Sequence, residues 1–165
     1  MVVSLSSSEE GCINYKGAIF IIIICYMKSL ERALLRVHLH TYNIDAQTGE
    51  SSACATALLC GVKARYETLG LDASGRFNNC ASAINSKLTS LIDWAHEAGK
   101  SSGIVTTARI THATPAALYA HAPSRYWEDD SRVPPTVRRD CKDIALQLVE
   151  NEPGRSINMV FKMCN

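Results

Sequence analysis

The chain lacks a surplus of either charge. Its 165 residues carry 17 Lys and Arg against 16 Asp and Glu, for a formal net charge of +1. Binding to DNA or RNA rests on a basic face that neutralises phosphates, so this balance argues against a nucleic-acid partner. A C-x-x-C pair is also missing, although there are seven cysteines (Cys12, Cys25, Cys54, Cys60, Cys80, Cys141 and Cys164). Neither a zinc ribbon nor a thioredoxin-type site is therefore expected. A membrane span is missing too: the most apolar run, Gly17–Met27, falls well short of the ~20 residues needed. Nor does that run make a clear signal peptide. Glu9 and Glu10 precede it where positive charge belongs, and Cys25-Tyr26-Met27 is a poor cleavage site. Its isoleucines favour a strand buried on both faces. No internal repeat is visible, and 47% hydrophobic with 20% charged residues excludes collagen, coiled coil and wholesale disorder. The length suits one domain with a buried core, or a piece of a larger one.

What is present is an alternation of helical and strand patterns. Lys28–His38 has helical spacing in Leu30, Ala33, Leu34 and Val37. Glu50–Gly61 is built from Ala, Ser and Leu with small residues on every face, so a closely packed helix stopped by Gly61 is expected. Gly70–Asn79 reads as a loop. Ala83–Glu97 places Ile84, Leu88, Leu91, Ile92 and Ala95 on one helical face, with Gly99 as the stop. Gly103–Thr107 is a β-branched strand. Thr114 then reads as an N-cap with Pro115 at the first helical position, opening a helix to about His121. Thr136–Asn151 is a further amphipathic pattern, and Ile157–Phe161 a strand. Strands alternating with helices predict an α/β fold, a mostly parallel sheet flanked by helices.

Two clusters can carry chemistry. Gly49-Glu50-Ser51-Ser52-Ala53 opens the small-residue helix. A serine there faces free backbone N–H groups and the positive end of the helix dipole, which suits an anion such as phosphate and eases formation of an alkoxide. The blander reading is a simple N-cap. The second cluster, Arg109…His112-Ala113-Thr114-Pro115…His121…Arg125-Tyr126-Trp127, follows the strand GIVTT at its carboxyl end, where open α/β sheets bind ligands. A threonine hydroxyl can ligate a hard cation, and an arginine fork can hold phosphate. The blander readings are a hydrogen-bonded core histidine at 112 and a solvated charge at 125. The acidic run Glu128-Asp129-Asp130 reads as a solvated loop.

Taken in order, these pieces resemble the alkaline phosphatase family, in particular its animal, insect-like branch. The matching segments are Thr41-Tyr42-Asn43, Ala55–Lys63, Arg76–Cys80, Gly103–Thr107, His112–Pro115, Tyr119-Ala120-His121, Arg125-Tyr126-Trp127 and Asp143-Ile144-Ala145. They divide the chain into an unmatched segment, 1–40, and a partial alkaline phosphatase-like α/β domain, 41–165. The resemblance implies a phosphomonoesterase that acts through a phosphoserine with Zn²⁺ and Mg²⁺. Ser51 matches the nucleophile; a one-residue slip would make it Ser52. Arg125 matches the phosphate-binding arginine, Thr114 the hydroxyl ligand of magnesium, and His112 the histidine beside that ion. Cys80 and Cys141 match a family disulfide, which implies an extracellular or cell-surface setting with membrane contact only through a lipid anchor. A homodimer is also implied.

The chain departs from the pattern at several points. The family has Asp-Ser where this sequence has Glu50-Ser51. The Gly-Asp-Gly turn, whose aspartate binds metal, is replaced by Cys25-Tyr26-Met27. Most zinc ligands belong to family segments that this sequence does not match. The isolated chain is accordingly expected to be inactive, its sheet incomplete and its core open on at least one side. The alternative reading is a catalytically inactive truncated paralogue acting as a binding or interaction module.

Overall fold

The computed structural model describes residues 42–162, together with the strand backbones of Val2–Ser4 (β1) and Ile19–Ile22 (β2). The helical pattern at Lys28–His38 lies outside the described residues, as do the ends of the apolar run Gly17–Met27. The other elements are α1 (Ser51–Cys60), α2 (Cys80–Ala83), α3 (Leu91–Glu97), β3 (Gly103–Thr106), α4 (Ala113–Ala116), α5 (Ile144–Glu150) and β4 (Met159–Lys162). The sheet order is β1-β2-β3-β4. β3 and β4 run parallel, Gly103 opposite Met159 and Thr106 opposite Lys162, with α4 and α5 in the crossover between them. The two N-terminal strands add antiparallel at the far side of β3. The α/β class follows from that helical crossover, which a parallel pair requires.

α1 forms because its alanines carry no side-chain entropy loss, and it ends where Gly61 takes the left-handed φ of 75°. Its small residues let it lie against α4, with Ala53, Ala55, Ala113, Ala116 and Ala117 all buried. The main core continues through Leu59, Leu69, Ile92, Ile104, Leu118, Tyr119 and Ile144. Gly70 is required at its position: φ is +60°, and a Cβ there would lie 2.3 Å from the Ala120 carbonyl oxygen. His121 is a satisfied core histidine, its Nε2 2.8 Å from the Leu88 carbonyl oxygen.

Three helical expectations are corrected. Ala83–Glu97 is not one helix. Ser86 and Leu88 pair instead with the 70–72 loop, through Asp72 N–H to the Ser86 carbonyl and Leu88 N–H to the Gly70 carbonyl. α3 then starts afresh at Ser90, which caps Ile92 while Asp93 bonds back to the Ser90 N–H. Ile84, placed on the apolar face by the pattern, is exposed. Thr136–Asn151 is likewise helical only as α5, because Asp143 accepts the Leu146 N–H and caps it there. The cap of α4 is His112, not Thr114. Pro115 sits within that first turn, where its missing N–H breaks no helical bond.

A second, smaller cluster gathers Trp127, Val133 and Val137 around the disulfide between Cys80 and Cys141. The bridge spans a sequence separation of 61 and ties α2 to the turns before α5. Constraining a loop of that length in the unfolded chain contributes about 4 kcal/mol. At β4, by contrast, Met159, Val160 and Phe161 are exposed, in line with the expectation of an open side.

Candidate active site

The site is organised by Glu50. Its carboxylate folds back over the start of α1. Oε1 accepts from the Ala53 N–H (2.8 Å), the Ser52 hydroxyl (2.6 Å) and the Glu67 N–H (3.0 Å). Oε2 accepts from the Ser52 N–H (2.7 Å) and from Arg125 Nη1 (2.8 Å). Glutamate is not a preferred N-cap, but its extra methylene lets it serve two helix donors and still reach Arg125. The pair is largely enclosed, with 12% and 19% of the two side chains exposed.

Glu67 completes the clasp. Its N–H meets Glu50 and its carbonyl accepts the Arg125 N–H at 2.9 Å. The residue is held at φ 60°, a left-handed conformation that non-glycine residues rarely adopt. Its carboxylate also accepts the Tyr126 hydroxyl, and the Tyr126 ring lies 5.9 Å from the Arg125 guanidinium. Backbone and side chain of Arg125 are therefore both fixed, the side chain against the residue that precedes Ser51.

The two serines differ. Ser52 is fully buried, and its hydroxyl is donated to Glu50. Ser51 is half-buried, and among the described residues no hydrogen bond occupies its hydroxyl. It stands at the N-terminus of a ten-residue helix, where N–H groups and the helix dipole favour an anion.

α4 brings the remaining candidates to the same region through its packing on α1. The Thr114 hydroxyl is buried and has no partner among the described residues, a state that costs about 1–3 kcal/mol if nothing else fills it. Burial holds the His112 imidazole below its usual pKa, and the nearby charges of Arg125 and then Arg109 push the same way against Glu128. Its ring is thus neutral at neutral pH and able to donate a lone pair. The unpaired Thr114 hydroxyl is an oxygen donor of the kind a hard cation takes. A zinc site does not fit: among the described residues no group of three or more His, Cys, Asp or Glu could hold a metal ion.

Glu128 departs from the expectation of a solvated loop. Its side chain is only 13% exposed. It accepts Arg109 Nε at 2.9 Å, Arg109 Nη2 at 2.8 Å and the Thr111 hydroxyl at 2.7 Å. The Arg109 hydrogen bonds, with help from Thr111, lower its pKa to about 2 against the opposing effect of burial. A carboxylate depressed in the fold adds stability above its unfolded pKa and loses it as pH falls. Wild-type stability is therefore expected to drop between about pH 4.5 and pH 2 by about 1 kcal/mol more than that of Glu128→Gln, the figure allowing for solvent around Arg109. Urea midpoints across that range check it; parallel curves would refute it.

Arg125 is thus fixed on Glu50 directly before Ser51 and Ser52, its charge reaches His112, α4 with Thr114 packs on α1, and Cys80 and Cys141 form their bridge. The organising roles of Glu50 and Glu67 are not readable from the sequence. Glu50 shows only as the residue before a serine, and nothing local marks Glu67.

A model of the alkaline phosphatase family matches residues 27–161. This chain belongs to the alkaline phosphatase family. Human tissue-nonspecific alkaline phosphatase is 48% identical over 112 residues, covering 67% of this chain and 21% of that protein. The alkaline phosphatase of Gadus morhua is 47% identical over 120 residues, covering 72% of this chain and 25% of its own length. The chain thus spans between a fifth and a quarter of these relatives. The solved alkaline phosphatase from the Antarctic bacterium TAB5 shares the fold, with a TM-score of 0.51 at 22% identity over 76% of this chain and 42% of the other.

Proposed function

We propose that this chain carries the nucleophile and phosphate-binding part of an enzyme that hydrolyses phosphate monoesters. One observation carries the reading: the Arg125 guanidinium is held 2.8 Å from the Glu50 carboxylate, directly before Ser51 at the start of α1. In this reading the remaining Arg125 donors grip the phosphate oxygens and set phosphorus against the Ser51 hydroxyl. Ser51 Oγ bonds to phosphorus, the ester P–O bond breaks, and the alcohol leaves with a proton. Water then attacks the phosphoserine, freeing phosphate and restoring the hydroxyl. Backbone N–H groups of α1 favour the charge that builds up on the way.

Thr114 and His112 would hold a magnesium ion, which supplies fixed positive charge beside the phosphoryl group. Zinc, expected from the family, has no donor set among the described residues, and no step is assigned to it. The disulfide of Cys80 and Cys141 supports an oxidising, extracellular or cell-surface setting. Among the described residues no helix is long and apolar enough to cross a membrane.

The test is turnover of a chromogenic phosphate monoester by the full-length protein with Zn²⁺ and Mg²⁺ supplied. Hydrolysis lost on chelation is expected, and no hydrolysis under any metal condition would overturn the reading. The 165-residue chain alone is expected to show no zinc-dependent turnover, since its described residues assemble no zinc donors.

A further inference from the structure

The loop that carries His112 has no regular structure of its own between Thr107 and the start of α4. It is nevertheless tied down at three points. From within, the Tyr119 hydroxyl donates to the Ile110 carbonyl at 2.9 Å. From outside, Arg109 and Thr111 both end on the single carboxylate of Glu128. Glu128 is itself anchored. Its carbonyl accepts the Ala145 N–H at 3.2 Å, and the carbonyl of buried Trp127 accepts the Ile144 N–H at 2.8 Å, so the first turn of α5 grips this segment. Glu128 is three residues beyond Arg125 on the same segment.

We infer that Glu128 is a positioning residue, whose carboxylate staples the 109–112 loop to the Arg125 segment and so sets His112 and Thr114 against the phosphate-binding guanidinium. A bidentate arginine–carboxylate fork fixes orientation as well as distance, and a polar site loosened by about 1 Å loses most of its value. The inference rests on the proposed role of Arg125 in binding phosphate.

The effect has a sign that separates positioning from plain charge. Glu128 is an anion close to the site, and removing an anion should by electrostatics alone strengthen the binding of another. Loss of positioning should weaken it. For the full-length protein we expect inorganic phosphate to bind about tenfold more weakly to Glu128→Ala and several-fold more weakly to Glu128→Gln, measured by titration calorimetry. Arg109→Met should weaken it as well and add little on top of Glu128→Ala, since both break one fork. Asn158→Ala, which removes the acceptor of the Ser102 N–H at the end of β3 away from the His112 loop, controls for general destabilisation and should leave phosphate affinity unchanged.

A second readout does not depend on ligand. Amide hydrogen exchange at His112, Ala116 and Arg125 should quicken in Glu128→Ala relative to Asn158→Ala. Phosphate binding unchanged or tighter in both Glu128 variants would overturn the inference, and so would unchanged exchange. If the wild type bound no phosphate at all, the proposed hydrolytic function would fall, while the exchange comparison would still decide whether Glu128 staples the loop.

Discussion

Ser51→Ala in the full-length protein is expected to lower kcat for a phosphate monoester by at least about 10³-fold, because a lost nucleophile cannot be replaced by the surrounding charge. Ser52→Ala should stay within about tenfold of wild type. The two hydroxyls are one residue apart, yet their settings differ. The Ser52 hydroxyl is enclosed and donated to Glu50, so it has neither access to a substrate nor a spare proton acceptor of its own. Its N–H, the other group it gives to Glu50, survives the substitution. The cost of Ser52→Ala is therefore one hydrogen bond, about 1 kcal/mol of stability. Ser51, half-buried at the helix start, keeps an uncommitted hydroxyl. Peptide mapping after brief labelling with phosphate provides the direct check, with label expected on Ser51. If Ser52→Ala were the inactive variant, the register of the site would shift by one residue, and Glu50 could no longer be the group that organises it.

The parts that could be read from the amino-acid sequence are those where local chemistry and tertiary packing agree. α1 is one: alanines favour the helix, Gly61 stops it, and small side chains suit the close contact with α4. β3 is another, a β-branched run after a glycine turn. The readings that failed are those where a periodic pattern met a stronger local competitor. Ile84, Leu88 and Leu91 do recur at helical spacing, but Ser86 and Leu88 find backbone partners in the 70–72 loop, and the Ser90–Asp93 box starts the helix later. Thr136–Asn151 failed in the same way against the Asp143 cap. In the candidate site the reactive types were visible because serine, arginine, histidine and threonine announce their chemistry. The residues that hold them were not. Glu67 meets Arg125 through its backbone across 58 positions, and Glu128 reaches back to Arg109 across 19. A lone glutamate in an acidic run gives no sign that its carboxylate is enclosed.

Glu50→Ala is expected to destabilise the fold by about 3–5 kcal/mol, the largest single effect at a polar residue of the site. The carboxylate accepts from three backbone N–H groups, one hydroxyl and one guanidinium. Alanine leaves all five without it, and the Arg125 charge is left in a place where only 19% of its side chain meets solvent. The variants should fall in order. Glu50→Asp keeps the charge and can still cap the helix, but it is one methylene short of serving α1 and Arg125 together, so a loss of about 1 kcal/mol is expected. Glu50→Gln keeps an acceptor for the N–H groups and loses the ion pair, which places it between Asp and Ala. Urea midpoints give the ranking, and phosphate titration gives the functional counterpart. Arg125 freed from Glu50 gains donors for an anion but loses the anchor that aims them, so affinity should fall along the same order as stability. A Glu50→Ala protein within about 1 kcal/mol of wild type would mean that water and neighbouring groups satisfy these donors equally well. Arg125 would then be placed by Glu67 and Tyr126 alone.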